Sequence, residues 1–195
     1  MKILRLFSFL FVTVALISCE GEKPAETKIE TVEIETVFGT NKEGLFRGSD
    51  ISDTAGQIRG KEKAAPTFDS DSLIEYDYTF QLKSGTTEMH LFYTFDEFGL
   101  FEIQVDFYPE NEEKAKELLP ELEEQLTTRF GEPKEAGLAK RWTTFSVSNN
   151  IIEITLSNES MDAENAFISL NYLEPLPDEI WFALIRDKRS YHFFR

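Results

Sequence analysis

Two histidines, one cysteine and thirty-six carboxylates are the groups from which this chain could build a reactive centre. His90 falls in a segment that alternates apolar and polar residues, on the polar side, and His192 sits near the C-terminus among basic and aromatic residues. No serine lies in a recognisable nucleophile turn, and neither histidine has a visible nucleophile to serve as base. His90 therefore reads as a surface strand histidine. Asp69-Ser70-Asp71 copies the start of a calcium loop, but Leu73 takes the next ligand position and no glycine follows it. Asp162 and Glu164 fall in a polar loop of the hairpin type. Both acidic stretches read as solvated turns. Gly44-Leu45-Phe46-Arg47-Gly48 lacks the spacing and the lysine of a phosphate-binding loop. Carboxylate pairs for glycoside hydrolysis cannot be chosen among so many acids. No catalytic, cofactor-binding or metal-binding residue is assigned.

Cys19 is the one cysteine, which excludes an internal disulfide and a thiolate zinc site. It follows a short basic start, with Lys2 and Arg5, and an apolar run from Leu6 to Ile17 broken only by Ser8 and Thr13. That is the make-up of a signal-peptide core, too short to serve comfortably as a permanent spanning helix. The run closes on Leu16-Ile17-Ser18-Cys19, which resembles the lipobox of bacterial lipoproteins. The resemblance implies cleavage before Cys19, a diacylglyceryl group on its sulfur and often a further acyl chain, such as palmitate, on the new amino terminus. Several acyl chains anchor a protein stably where one is marginal. Glu20 stands where inner-membrane lipoproteins commonly carry aspartate, so the outer membrane is favoured. The acidic Glu20-Gly21-Glu22 start also resembles the surface-export signal of Bacteroidetes lipoproteins, leaving the periplasmic face and the cell surface both open.

The net charge is −16, and loss of Lys2 and Arg5 with the leader takes it to −18. Such a surface repels phosphate backbones, so nucleic-acid binding is excluded. Solubility accounts for the acidity, and a basic partner or a divalent cation would also suit it. With 41 % hydrophobic residues and eighteen phenylalanines, the chain has ample material for a packed core.

The elements that would position any site follow from periodicity. Residues 1–18 are the leader, and residues 19–43 are polar and read as a flexible tether, with edge-strand propensity over 29–37. Residues 44–176 form the globular part, with candidate halves 44–108 and 109–174. Ser52 is placed to cap a short helix to about Glu62. Strands are expected at Leu73–Leu82, Thr87–Phe95 and Leu100–Tyr108, linked by tight turns. Pro109–Phe130 carries an apolar stripe at helical spacing, with a kink or break expected at Pro120. Arg141–Val147, Ile151–Leu156 and Ala166–Leu173 read as three more strands. Residues 177–195 would be a helix from Asp178 to Arg186 and a basic, aromatic tail. The fold class is α+β, with helices packed on an antiparallel sheet and two successive αβββ units, the order an internal duplication would leave.

These helix-then-meander units are similar in layout to the small lipoprotein subunit of the outer-membrane barrel-assembly machinery and related envelope modules. That similarity covers about half of the chain at a time and carries no diagnostic motif. The function expected from the sequence is a non-catalytic interaction or assembly module, held to the membrane through lipidated Cys19 and binding an envelope protein. The alternatives are a lipoprotein that binds a small molecule, ion or glycan, and a carboxylate-dependent envelope hydrolase.

Overall fold

Period-two alternation sets the middle of the chain. In the computed structural model, which describes residues 31–39, 43–160 and 166–175, strands β1 (Phe68–Asp69), β2 (Leu73–Leu82), β3 (Gly85–Asp96) and β4 (Gly99–Pro109) form an antiparallel meander. A second run, β5 (Lys134–Ala136), β6 (Ala139–Phe145), β7 (Ile151–Asn158) and β8 (Ile168–Leu173), forms another. They join along β4 and β8, where Glu102 pairs with Leu173 and Phe107 with Ile168. The result is one eight-stranded antiparallel sheet in the order β1-β2-β3-β4-β8-β7-β6-β5. With its helices this is an α+β fold. Six strands were expected; the short outer strands β1 and β5 make eight.

One face of the sheet is buried. Ile74 and Tyr76, then Met89, Leu91 and Tyr93, then Ile103, Val105 and Phe107 carry it across the first meander. Ile168, Leu170 and Tyr172, with Ile152, Ile154 and Trp142, continue it across the second. Helix α3 (Glu112–Phe130) adds Ala115, Leu118, Leu122 and Leu126 to the same apolar cluster. Burying a leucine side chain of this kind contributes about 2 kcal/mol. Asn111 caps α3 by accepting from the Lys114 amide at 3.0 Å, and Gly131 ends it at φ 84°. Among the described residues, no helix is long and apolar enough to cross a membrane.

Four expectations need correction. The described part of the 29–37 segment, from Thr31 on, is not an edge strand: Thr31 makes one parallel bridge to Gln81, and Ile34–Val37 then form the short helix α1. Ile34, Val37 and Phe38 recur at helical spacing and are buried, so this part of the 19–43 segment packs into the core and is not a free tether. Helix α2 (Ala55–Lys61) is capped by Thr54, not Ser52, because Thr54 and Gln57 make a reciprocal capping box. Helix α3 starts three residues after Pro109, which ends β4, and runs unbroken through Pro120, which is exposed. Cys19, the leader, Asp162, Glu164, His192 and the whole 177–195 segment lie outside the described residues.

Candidate functional site

The β3–β4 turn shapes one end of the sheet. Register slips there: Thr94 pairs with Glu102 but Phe95 pairs with Leu100, leaving Phe101 as the extra residue of a bulge. Gly99, at φ 122°, lets the 49–53 loop press against the turn. The Ser52 amide donates to the Leu100 carbonyl at 2.7 Å, and the Leu100 amide donates to the Asp53 carbonyl at 2.8 Å. Ser52 itself is held at φ 75°, a conformation that costs a non-glycine residue about 1–2 kcal/mol.

Asp50 ties this loop to the β6–β7 turn. Its carboxylate accepts from the amides of Ile51 and Val147, and the Asp50 amide donates to Asp53 at 2.6 Å. Burial pushes the Asp50 carboxyl above its ordinary value, and the Val147 and Ile51 amides oppose that shift. Glu174, just past β8, accepts from the Asn150 side chain at 3.1 Å. The recess between these turns, about 470 Å³, has Phe98, Leu100 and Phe101 as its apolar wall and Ser52, Asp96, Asn150 and Glu174 as its polar rim. Its charged lining is entirely acidic. Such a site fits an apolar or aromatic group that carries a cation beside it.

Around the recess the surface is apolar. Phe98 is 80 % exposed and Val147 83 %, and Phe145 and Ile151 pair across the β6–β7 hairpin with both side chains exposed. The β3–β4 and β6–β7 turns lie at the same end, because β4 and β7 both start there and both run antiparallel to β8. The N-terminal segment joins at the opposite end, where the Val32 amide donates to the Gln81 carbonyl at 2.8 Å beside the β2–β3 turn. The twelve residues of β3 separate the two ends, roughly 35–40 Å.

A second polar cluster is internal. Glu62, at the C-cap of α2, has a side chain only 1 % exposed. It accepts from Tyr78 and Tyr93 at 2.6 Å each and from Arg47 Nε at 3.0 Å. Arg47 also lies over the Tyr78 ring at 4.6 Å and donates to the Val37 carbonyl. Both oxygens are engaged, so this is a satisfied ion cluster that holds Val37 and Arg47 against α2 and the sheet. No local pattern marks it in the sequence, where Glu62 is one glutamate among many. A further recess, about 650 Å³, lies between α1 and the end of α3. Its Arg129 donates to the Gly44 carbonyl at 3.2 Å and sits beside Phe38 and Phe130, serving packing there.

The exposed face of the sheet holds His90. It pairs in register with Asp106, and its ring lies 4.9 Å from Tyr108, which stacks on Phe167 at 5.2 Å. Asp106 is buried, and burial raises its carboxyl above the ordinary value. It accepts from Gln104 at 2.9 Å and from the Ser169 hydroxyl at 3.1 Å. Ser169 thus gives its proton to a carboxylate and not to an imidazole, which is not the arrangement of an activated nucleophile. Nearby, Asn171 donates to Glu102 at 2.8 Å, while its Oδ1 is buried without a partner among the described residues. It lines a recess of about 340 Å³ with Arg141, Glu153 and Ser157.

The acidic loop at 69–71 is accounted for locally. Asp69 pairs with Arg59, with Nε at 3.0 Å, and Ser70 closes a turn by accepting from the Leu73 amide. No group of three or more His, Cys, Asp or Glu among the described residues could hold a metal ion. No known protein family, curated protein or solved structure matches the chain.

Proposed function

We propose that the chain is a lipid-anchored lipoprotein of the bacterial envelope, cut before Cys19 and carried on the outer membrane. Its folded part acts as a non-catalytic interaction module, binding an envelope protein through the end that bears Phe98, Phe145, Val147 and Ile151. The observation that carries this reading is the gathering of these exposed apolar residues at the end opposite the entry of the N-terminal segment. Apolar residues clustered in this way mark contact surfaces more often than scattered ones do. Residues 20–30 reach at most about 40 Å when extended, so an anchor at Cys19 leaves the apolar end free to face away from the membrane.

The finer architecture in this reading is a duplicated αβββ unit with its helices on one face of the sheet. Two features support it: each meander follows a helix, and the two meanders meet through their third long strands, β4 and β8.

The test is capture from native membranes under gentle detergent. The Phe98→Ser/Val147→Ser chain should lose its partner roughly tenfold, as loss of central apolar contacts does. Leu138→Ser, a fully exposed site at the opposite end, should capture as the parent does. Equal capture by all three chains, or capture of nothing, sinks the reading. Labelling with a radioactive fatty acid tests the anchor: the parent should label and Cys19→Ser should not.

A second reading, a binder of glycans or other polar small molecules, is supported by the recess around the unpartnered Asn171 Oδ1. Sugar hydroxyls are the donors it would accept. A glycan panel in which Asn171→Ala loses a ligand bound by the parent would favour it, and a blank panel counts against it.

A further inference from the structure

The recess at the apolar end is built, acidic and open, and the chain supplies a segment whose chemistry matches it. Glu174 forms part of its rim, and one residue later the chain continues into residues 176–195. The last eight of these, Lys188-Arg189-Ser190-Tyr191-His192-Phe193-Phe194-Arg195, hold three fixed positive charges, three aromatic rings and no acid. This run stands out in a chain whose net charge is −16. The recess offers the counterparts: Phe98 and Phe101 as an aromatic wall, with Asp96 and Glu174 as anions and no lysine or arginine in its lining. A bulge and a strained Ser52 shape it, and such devices are kept where a backbone is re-aimed for contact.

We propose that this recess is the docking site of the chain's own basic, aromatic C-terminal segment. Asp96 and Glu174 complement the positive charges of Lys188, Arg189 and Arg195, and Phe98 and Phe101 complement the rings of Tyr191, Phe193 and Phe194. Tethering favours this occupant over others. A segment that starts at the rim is present at an effective concentration of about millimolar before any contact forms. Twenty residues also span far more than the distance back to the recess. The inference rests on the proposed use of this end as a contact surface and adds to it: a partner must either displace the segment or bind the recess and segment together.

A photoreactive benzoylphenylalanine in place of Phe98, in the full chain purified without partner, tests this directly. Illumination should give an adduct within one molecule to peptides from 177–195, at a yield that does not change on dilution. Lys188→Glu/Arg189→Glu, which alters no residue of the described fold, should lower that yield roughly fivefold, as loss of two opposed charges at a rim does. Asp96→Lys/Glu174→Lys should do the same. The probe at Leu138 should give no such adduct. An adduct to a second copy, an adduct to lipid or detergent alone, or no adduct overturns the proposal. Partner capture from native membranes is scored separately, so the segment can prove absent from the recess while the interaction reading still stands.

Discussion

The Tyr93 phenol donates to the Glu62 carboxylate at 2.6 Å, and that carboxylate is the meeting point of two tyrosines and Arg47. Removing it leaves Arg47 without its anionic partner and two phenol protons without their acceptor. Glu62→Ala should destabilise the fold by about 3–5 kcal/mol, the range for breaking a buried ion pair from one side. Glu62→Gln should cost less, because it retains one acceptor. Urea denaturation of the two variants checks both the size and the order.

The same cluster predicts an alkaline limit. Burial, followed by the nearby Glu62 charge, raises the Tyr93 phenol well above 10.0, and burial and the Glu62 hydrogen bond raise Tyr78 as well. The unfolded chain releases these protons near pH 10 while the folded chain keeps them. Their contribution is therefore fully present below about pH 10 and is lost as pH rises above it, through the folded values. Denaturation midpoints should fall as pH rises above about 10, and tyrosinate absorbance should show delayed ionisation. Tyr93→Phe should flatten part of that fall.

Gly99 is required by its surroundings. At φ 122°, a Cβ there would stand 2.8 Å from the Ser52 carbonyl and 3.0 Å from that of Asp53. Both neighbours are backbone and cannot swing aside. Gly99→Ala should cost about 2 kcal/mol or more and should loosen the 49–53 loop, seen as faster amide exchange at Ser52 and Leu100.

Asp50→Ala should release the β6–β7 turn from the 49–53 loop. Two amides lose their acceptor, and each partly buried orphan costs about 1–3 kcal/mol. Exchange of the Val147 amide should rise more than that of the Trp142 amide, farther along β6. Equal rises at both would point to general unfolding instead.

Pro120→Ala should stabilise. Pro120 is exposed within α3 and brings no amide proton to the Lys116 carbonyl. Alanine restores that bond and relieves the ring's clash with the preceding turn, a gain of up to about 3 kcal/mol. A higher thermal midpoint is expected, and an unchanged one would show that the helix has already adjusted around the ring.

Local order was legible in the sequence wherever one periodicity acted alone. Met89, Leu91, Tyr93 and Phe95 alternate cleanly, and β3 lies where they place it; the Leu118–Leu122–Leu126 stripe marks α3 in the same way. The 29–37 stretch misled because Val32 and Ile34 fit alternation while Ile34, Val37 and Phe38 fit a helical turn, and burial followed the second pattern. Thr54 and Gln57 did carry a capping signal, but Ser52 drew the assignment although its backbone is not that of a cap. The recess could not be read, since it needs the slip at Phe101, the reach of Asp50 to Val147 and the return of Glu174 beside Phe101. Those contacts join residues far apart in sequence, and no local pattern encodes them.

The seam between β4 and β8 has a consequence for the order of assembly. The centre of the sheet is completed by the last described strand to be synthesised, so β4 must wait some sixty residues for its neighbour. Until then the first meander has an open edge and half of its apolar floor, too little to lock shut. For a chain that we propose crosses a membrane as an extended thread, such lateness keeps the polypeptide pliable in transit and defers closure until it has arrived.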